Sequence, residues 1–343
     1  MSLSENPSER MTTVGLSYTA ESRTQRFFRA VSYRYGVVVV WLVAIAFFGI
    51  LAPTTFLTTS NLSALLSSQA SLILLSLSVL PVLAAGEIDL SVAGIMTISG
   101  TVLGQLNSVL KVDLTVSIIA ALLAALVAGA INAWLTVYVG VYSIVVTLGM
   151  GTLLVGIAEL ITNKLTITGV APQLGQIVNS PTLGISNCFW FSIAIGLVLW
   201  YLYRHTAVGR HLLFIGKNEE VARLSGLPVR KLKFGAFLLT SFLAGLAGIM
   251  IVSIAGGLQP TSLQTLLLPA FAGAFLGQAV IDPGSTNPLG TIIAVLFLAT
   301  GINGLVLLGA DTWISSVFYG GAVVIAATVS RFAFVRAIRK NVL

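Results

Sequence analysis

The sequence predicts an all-α polytopic membrane protein with about ten transmembrane helices in two inverted five-helix halves. Three observations lead there. Only 8% of the residues are charged, against roughly 25% in an ordinary soluble domain. Ten apolar stretches approach the roughly 20 residues that a membrane-spanning helix needs. The basic residues gather in three clusters that fall on one side when those stretches are threaded through a bilayer.

The composition bounds the class of function. The 343 residues include 18 Lys+Arg and 11 Asp+Glu, and 57% are hydrophobic, with a mean hydropathy of +1.00. A soluble globule of this size could not cover its surface with so few charges. A cytosolic enzyme, a disordered chain and a nucleic-acid-binding domain are thereby excluded. The net charge of +7 reads as basic loops facing an anionic leaflet, so membrane lipids are expected partners and nucleic acid is not. One cysteine, Cys188, excludes a disulfide within the chain and a Cys-based metal cluster.

Residues 1–35 are polar and carry Arg10, Arg23, Arg26, Arg29 and Arg34. They lack the apolar core and cleavage site of a signal peptide. They read as a cytoplasmic basic segment, either an amphipathic stretch on the membrane surface or a plain basic tail. The membrane-spanning body covers 36–330. Its apolar stretches are 36–53, 64–85, 90–108, 114–139, 143–162, 188–203, 234–256, 265–281, 288–308 and 313–330. No alternating strand pattern of a membrane barrel interrupts them. Residues 331–343 form a basic tail. The 33 glycines suit closely packed membrane helices.

Five basic residues precede the first span. Seven lie at 204–233 and four follow the last span, leaving only Lys111 and Lys164 on the other face. Both termini are therefore expected in the cytoplasm. Five spans on each side of the 204–233 loop require the two halves to be inverted relative to each other. Leu80-Pro81-Val82-Leu83-Ala84-Ala85-Gly86 echoes Leu268-Pro269-Ala270-Phe271-Ala272-Gly273, followed by Ile88-Asp89 and Ile281-Asp282 respectively.

Ionisable groups within membranes are costly and mark function or caps. Glu87-Ile88-Asp89-Leu90-Ser91 lies between two apolar stretches. Asp89 or Ser91 is placed to cap the third span, and Glu87 to line a polar route or to reach the interface. Gln105, Asn132, Thr147 and Asn303 are uncharged polar residues within spans. Each could hydrogen-bond a polyol or, equally, a neighbouring helix. His205 and His211 both lie in the basic loop, too few for a metal site. The chain has no phosphate-binding Gly-x-x-x-x-Gly-Lys-Ser/Thr loop, so it is not expected to be an enzyme or to hydrolyse ATP alone.

The 204–233 loop is the most informative segment. Asn218 can cap a short helix whose first turn holds Glu219 and Glu220 and whose last turn holds Arg223; Gly226 and Pro228 end it. Such a helix fits either a groove on a soluble partner or the headgroup layer.

This loop resembles the cytoplasmic loop of ATP-binding-cassette importer permeases of the ribose, xylose, arabinose and galactose type. That loop reads Thr-x-x-Gly-Arg-x-x-x-x-x-Gly-x-Asn-x-x-Ala-Ala-x-x-Ser-Gly-Ile. The matching residues are Thr206, Gly209, Arg210, Gly216, Asn218, Ala222, Ser225 and Gly226, with Val221 and Leu227 as departures. Three further blocks are similar to the family's. They are Gly86 to Val92, with Glu87 where a glycine is usual; Asn132 through Thr147-Leu148-Gly149; and Gly290-Thr291 through Asn303-Gly304-Leu305. The blocks keep the family's order over about residues 60–330, close to the autoinducer and branched-chain amino-acid permeases.

The resemblance implies a transporter subunit of the bacterial inner membrane that moves a sugar or sugar-like solute. It implies a second permease copy or a paralogue, a cytoplasmic ATPase and an extracytoplasmic solute-binding protein. ATP and Mg would belong to the ATPase, with no cofactor in this chain. Gly209, Arg210, Gly216, Asn218, Glu219, Ala222, Arg223, Ser225 and Gly226 would form the ATPase-coupling loop. The outer loops at about 54–63, 163–187 and 257–264 would meet the binding protein. An ion- or proton-coupled carrier and a membrane receptor or scaffold are the other readings, and a carrier would need no docking helix.

Overall fold

The computed structural model describes residues 23–281, 284–325 and 328, with side chains described from residue 35 onward. The greater part of the basic N-terminal segment, the tail from 331 and Asp282 of the internal echo lie outside the described residues.

Thirteen helices account for most of the described chain. They are α1 (Arg23–Leu51), α2 (Thr59–Ala84), α3 (Val92–Gly104), α4 (Leu114–Ala133), α5 (Ser143–Thr162), α6 (Pro172–Asn179), α7 (Asn187–His205), α8 (Ala207–Lys217), α9 (Glu219–Leu224), α10 (Val229–Ala255), α11 (Leu267–Gly277), α12 (Pro288–Leu307) and α13 (Trp313–Ile325). π-helical turns extend α3 to Val109 and α4 to Val139. Among the described residues, six helices are long and apolar enough to cross a membrane, or seven if α7 and α8, bent by 75°, make one span.

Ten spans were expected, and the difference lies in short helices. The stretch predicted at 265–281 is helical only over Leu267–Gly277, because a 3-10 turn at Pro260–Leu266 precedes it and a turn follows Gly277. Within the described residues, the apolar parts of the first and last stretches are Tyr35–Leu51 and Trp313–Ile325. The two echoing segments also fall at opposite ends of their helices. Pro81 lies near the end of α2 and Pro269 near the start of α11.

Local chemistry sets the boundaries. Thr58 caps α2 by accepting from the Asn61 N–H at 3.1 Å, and Asp113 caps α4 by accepting from Thr115 at 2.8 Å. Asn287 caps α12, with Pro288 in its first turn. Gly256, with φ +64°, ends α10.

The centre is built from α2, α3 and α10. Their most apolar windows are 78%, 72% and 67% buried, against 28% and 22% for α4 and α5. α10 packs on α2, α3 and α4; α12 packs on α11, α2 and α1. Side chains such as Ile119, Leu123, Val145 and Leu153 leave the outer faces of α4 and α5 apolar and exposed, as hydrocarbon requires. Small residues let the central helices touch. A Cβ on Gly248 of α10 would overlap the Met96 carbonyl of α3.

The described residues are mostly helical, as expected, with a few short strands. Four two-residue strands occur in the connecting loops. Ile167–Thr168 (β1) pairs antiparallel with Gly257–Leu258 (β4), and Pro181–Thr182 (β2) with Ile185–Ser186 (β3). The β1–β4 pair joins two of the predicted outer loops, and Ser63 donates to the Gly184 carbonyl at 2.7 Å to bring in the third.

Candidate functional site

The α2–α3 connection carries most of the polar chemistry. α2 ends at Ala84, and Gly86 turns the chain in the left-handed region at φ +81°. The loop then runs back into the helix packing, where Asp89 and Ser91 are buried. Asp89 Oδ1 accepts from the Ser91 N–H at 2.8 Å and from the Ser91 hydroxyl. Ser91 Oγ in turn accepts from Asn132 Nδ2 of α4 at 2.8 Å. Thr147 Oγ1 of α5 accepts from the Leu90 N–H at 2.9 Å and donates to the Ser143 carbonyl at 2.8 Å. Asp89, Ser91, Asn132 and Thr147 thus form one buried cluster that fixes the start of α3 against α4 and α5. Ser91 occupies the N-cap position but makes no side-chain cap; Asp89 instead caps the loop one step earlier. Burial pushes the Asp89 carboxyl up to about 6, against the lowering effect of its Ser91 bonds. Its Oδ2 and Asn132 Oδ1 are buried without a hydrogen-bond partner.

Glu87 takes a different course. Its Oε1 lies 2.7 Å from Lys233 Nζ, and the same ammonium lies 2.7 Å from Glu219 Oε2. Lys233 sits in the first turns of α10 with 9% of its side chain exposed, Glu87 with 20% and Glu219 with 58%. The three charges border a pocket of about 290 Å³, whose other walls are Thr136 and the α4–α5 turn from Gly140 to Ile144.

The predicted loop helix is present as α9. Asn218 Oδ1 accepts from the Val221 N–H at 3.0 Å, Glu219 and Glu220 fill the first turn, and Arg223 occupies the last. Its end is a Schellman arrangement. Leu227 N–H bonds to the Ala222 carbonyl at 3.2 Å and Gly226 N–H to the Arg223 carbonyl at 3.0 Å, with Gly226 at φ +79°. Ala222 is buried with Ile215 and Val229, and Leu227 packs on them. Glu220, Val221, Arg223, Leu224, Ser225 and Gly226 are exposed, Leu224 at 80%.

The rest of the loop is more ordered than its sequence suggested. Residues 207–217 form α8, capped by the Thr206 hydroxyl accepting from Gly209 N–H at 3.2 Å. Gly209 packs into the α7–α8 elbow, where a Cβ would collide with the Leu202 carbonyl. Gly216 lies against the Ala84 carbonyl and Gly86. Of the proposed coupling residues, Gly209, Gly216 and Ala222 therefore serve packing within the chain, and Glu219 turns toward Lys233. Arg210, Arg223, Ser225 and Gly226 face outward.

Two path candidates lie elsewhere. Gln105 begins the π-helical end of α3, 14 residues beyond Ser91 and so about 20 Å along the helix. Asn303 of α12 exchanges amide bonds with Asn61 of α2 at 3.1 and 3.2 Å. Among the described residues, no three His, Cys, Asp or Glu side chains come together as metal ligands.

Residues 61–327 match the family described as the permease component of the branched-chain amino acid transport system. The chain belongs to this permease family. Three curated relatives extend the match. The permease is 30% identical over 292 residues to the ribose import permease protein RbsC of Escherichia coli, covering 84% of this chain and 90% of the relative. It is 29% identical over 299 residues to the L-arabinose ABC transporter permease protein AraH of Azospirillum brasilense, covering 87% and 88%. It is 27% identical over 298 residues to the D-allose transport system permease protein AlsC of Escherichia coli, covering 87% and 91%. No solved structure matches the permease significantly.

Sequence reasoning counted Lys233 only as one basic residue among seven. Its position four residues beyond the α10 start, on the side that meets Glu87, could be read only after α9 and α10 were placed. Ser143 was missed as well; its hydroxyl accepts from the Ile88 N–H of the α2–α3 loop, and its carbonyl accepts from the Thr147 hydroxyl within α5.

Proposed function

We propose that the permease moves a sugar or sugar-like solute into the bacterial cell, driven by ATP hydrolysis on a cytoplasmic partner. The observation that carries this reading is α9. One side is anchored by Ala222 and by the Glu219–Lys233 pair, while Glu220, Val221, Arg223 and Leu224 project from the other. A six-residue helix with an exposed leucine and a charged rim is a docking element for a groove on another protein. An ion-driven carrier has no use for such an element, and the ABC importer relatives favour the ATP-driven reading.

In this reading the chain crosses the inner membrane in two inverted five-helix halves, with both termini and α9 in the cytoplasm. A second copy or a paralogue completes the permease pair. An extracytoplasmic binding protein delivers the solute to the face where β1–β4 and Gly184 join the outer loops. ATP and Mg reside on the ATPase, and this chain contributes no cofactor or catalytic residue. The relatives named for allose, arabinose and ribose support a monosaccharide-sized cargo.

The test is uptake of labelled D-ribose, D-allose and L-arabinose into vesicles holding the full complex, with ion gradients collapsed. Uptake of at least one sugar that depends on ATP is the expected result. Uptake that persists without ATP and disappears with the gradient overturns the proposal.

A further inference from the structure

We infer that Lys233 is a positioning residue that clasps α9 to the α2–α3 loop, so that a displacement of α9 is delivered to the start of α3. The inference rests on the reading that α9 docks the ATPase.

The geometry has the form of a link in series. Glu219 lies in the first turn of α9, its side chain 58% exposed and its Oε2 reaching back to the nearly buried Lys233. Lys233 joins it to Glu87, each contact being 2.7 Å. Charge-assisted bonds this short are directional as well as strong. Glu87 stands two residues before Asp89, whose cluster with Ser91, Asn132 and Thr147 holds the first turn of α3. Any pull on Glu87 therefore reaches a part of the loop that is fixed to α3 by hydrogen bonds.

Other features separate a clasp from an ordinary surface pair. α9 has only six residues and a small apolar anchorage, Ala222 with Ile215 and Val229, so the ionic contact is a substantial part of its attachment. Lys233 is nearly buried, so either carboxylate alone would leave it poorly satisfied. The pocket beside the three charges gives the side chains room to move together. α8 touches the same loop through Gly216, but that contact is backbone packing at the Ala84–Gly86 end. It sets the separation without pulling on Glu87.

The experiment uses the permease purified with its ATPase. Spin labels at Gln105→Cys and Asn163→Cys, with Cys188→Ser, report the outer end of α3 relative to α5. The distance distribution is compared before and after trapping with ATP and vanadate. We expect the trapped complex to show a shifted population that falls at least threefold in Glu87→Gln and in Lys233→Met. The double variant should be no worse than Lys233→Met alone, as links in series require, and Lys233→Arg should retain more than half of the shift. If Glu87→Gln does not accumulate in the membrane, Glu219→Gln at the more exposed arm should give the same loss.

A wild-type complex without a shift overturns the inference. So do single variants that shift normally, or losses that multiply in the double variant. Arg223→Glu separates the two layers of the argument. If it leaves ATPase binding intact, α9 is not the docking element; if it releases the ATPase while Glu87→Gln shifts normally, only the clasp fails.

Discussion

Lys233 Nζ and Glu87 Oε1 lie 2.7 Å apart although 146 positions separate them in the chain. The contact ties the beginning of α10 to the loop between α2 and α3. It places a charge pair where the ends of the central helices meet the 204–233 segment. The outward side of that segment carries Arg223, and its inward side carries the glycines that let α8 approach α2.

Arg223 is the residue whose reversal should separate docking from folding. Its bond to Glu220 is 3.1 Å long, but both side chains are largely exposed, and such pairs contribute only about 0–1 kcal/mol. Arg223→Glu should therefore leave the melting temperature of the purified permease within a few degrees of wild type. Binding of the ATPase, followed by co-purification or by light scattering, should weaken about tenfold or more, as loss of a charged contact at an interface does.

Gly216 and Gly226 make an informative pair. At Gly216 an added Cβ would run into the Ala84 carbonyl, which is backbone and cannot step aside. Gly216→Val should destabilise the protein by about 1–3 kcal/mol through overpacking and loosen α8 from α2. At Gly226 there is open space, but φ is +79°. Gly226→Ala should cost about 1 kcal/mol or somewhat more from the left-handed backbone alone. Thermal unfolding in detergent, with protease sensitivity of the 207–227 segment, distinguishes them: only the Gly216 variant should expose α8.

Asp89 gives a pH dependence of definite sign. Its carboxyl is raised from 3.8 to about 6 by burial. Between those values the folded protein holds a proton that the unfolded chain has released. Stability therefore falls as pH rises through that window and levels off above about 6. The expected loss from this residue is on the order of 3 kcal/mol across the window. Asp89→Asn should abolish that part of the slope, because its amide is neutral throughout and its oxygen can still accept from Ser91. Melting temperatures of both proteins between pH 4 and 7 test this; parallel curves would reject the assignment.

The helices were legible in the sequence because long apolar runs admit few alternatives. The α9 helix was legible because caps act locally. Asn218, the two glutamates, Arg223 and Gly226 stand within nine positions, and each does what its residue type favours. The span count was less legible. The 265–281 stretch is mostly apolar, and hydropathy cannot reveal that it begins with a 3-10 turn and that its helix stops at Gly277. The site was half legible. Asp89, Ser91, Asn132 and Thr147 were chosen as separate polar residues, and only packing brought them into one cluster. Gln105 and Asn303 were chosen by the same rule and lie apart from it. Lys233 was hidden because its two partners come from segments 146 and 14 positions away, a relationship that no local pattern encodes.

The Asn61–Asn303 exchange tests how polar residues between these helices are used. Each amide donates to the other's carbonyl, and Asn61 also donates to the Phe56 carbonyl at 2.9 Å. Asn303→Leu removes one partner and leaves the Asn61 amide oxygen unpaired in a half-buried position, which should cost about 1–3 kcal/mol. In Asn61→Leu/Asn303→Leu both amides are gone and the leucines can pack together, so the double variant should lose less than the sum of the single variants. A positive coupling of about 0.6 kcal/mol or more in a double-mutant cycle on unfolding is the expected outcome, in the range found for polar pairs between membrane helices. Strict additivity would mean that the pair contributes no mutual stabilisation. Asn303 would then have to be explained by contact with solute or a partner, and sugar uptake by the Asn303→Leu complex would show which.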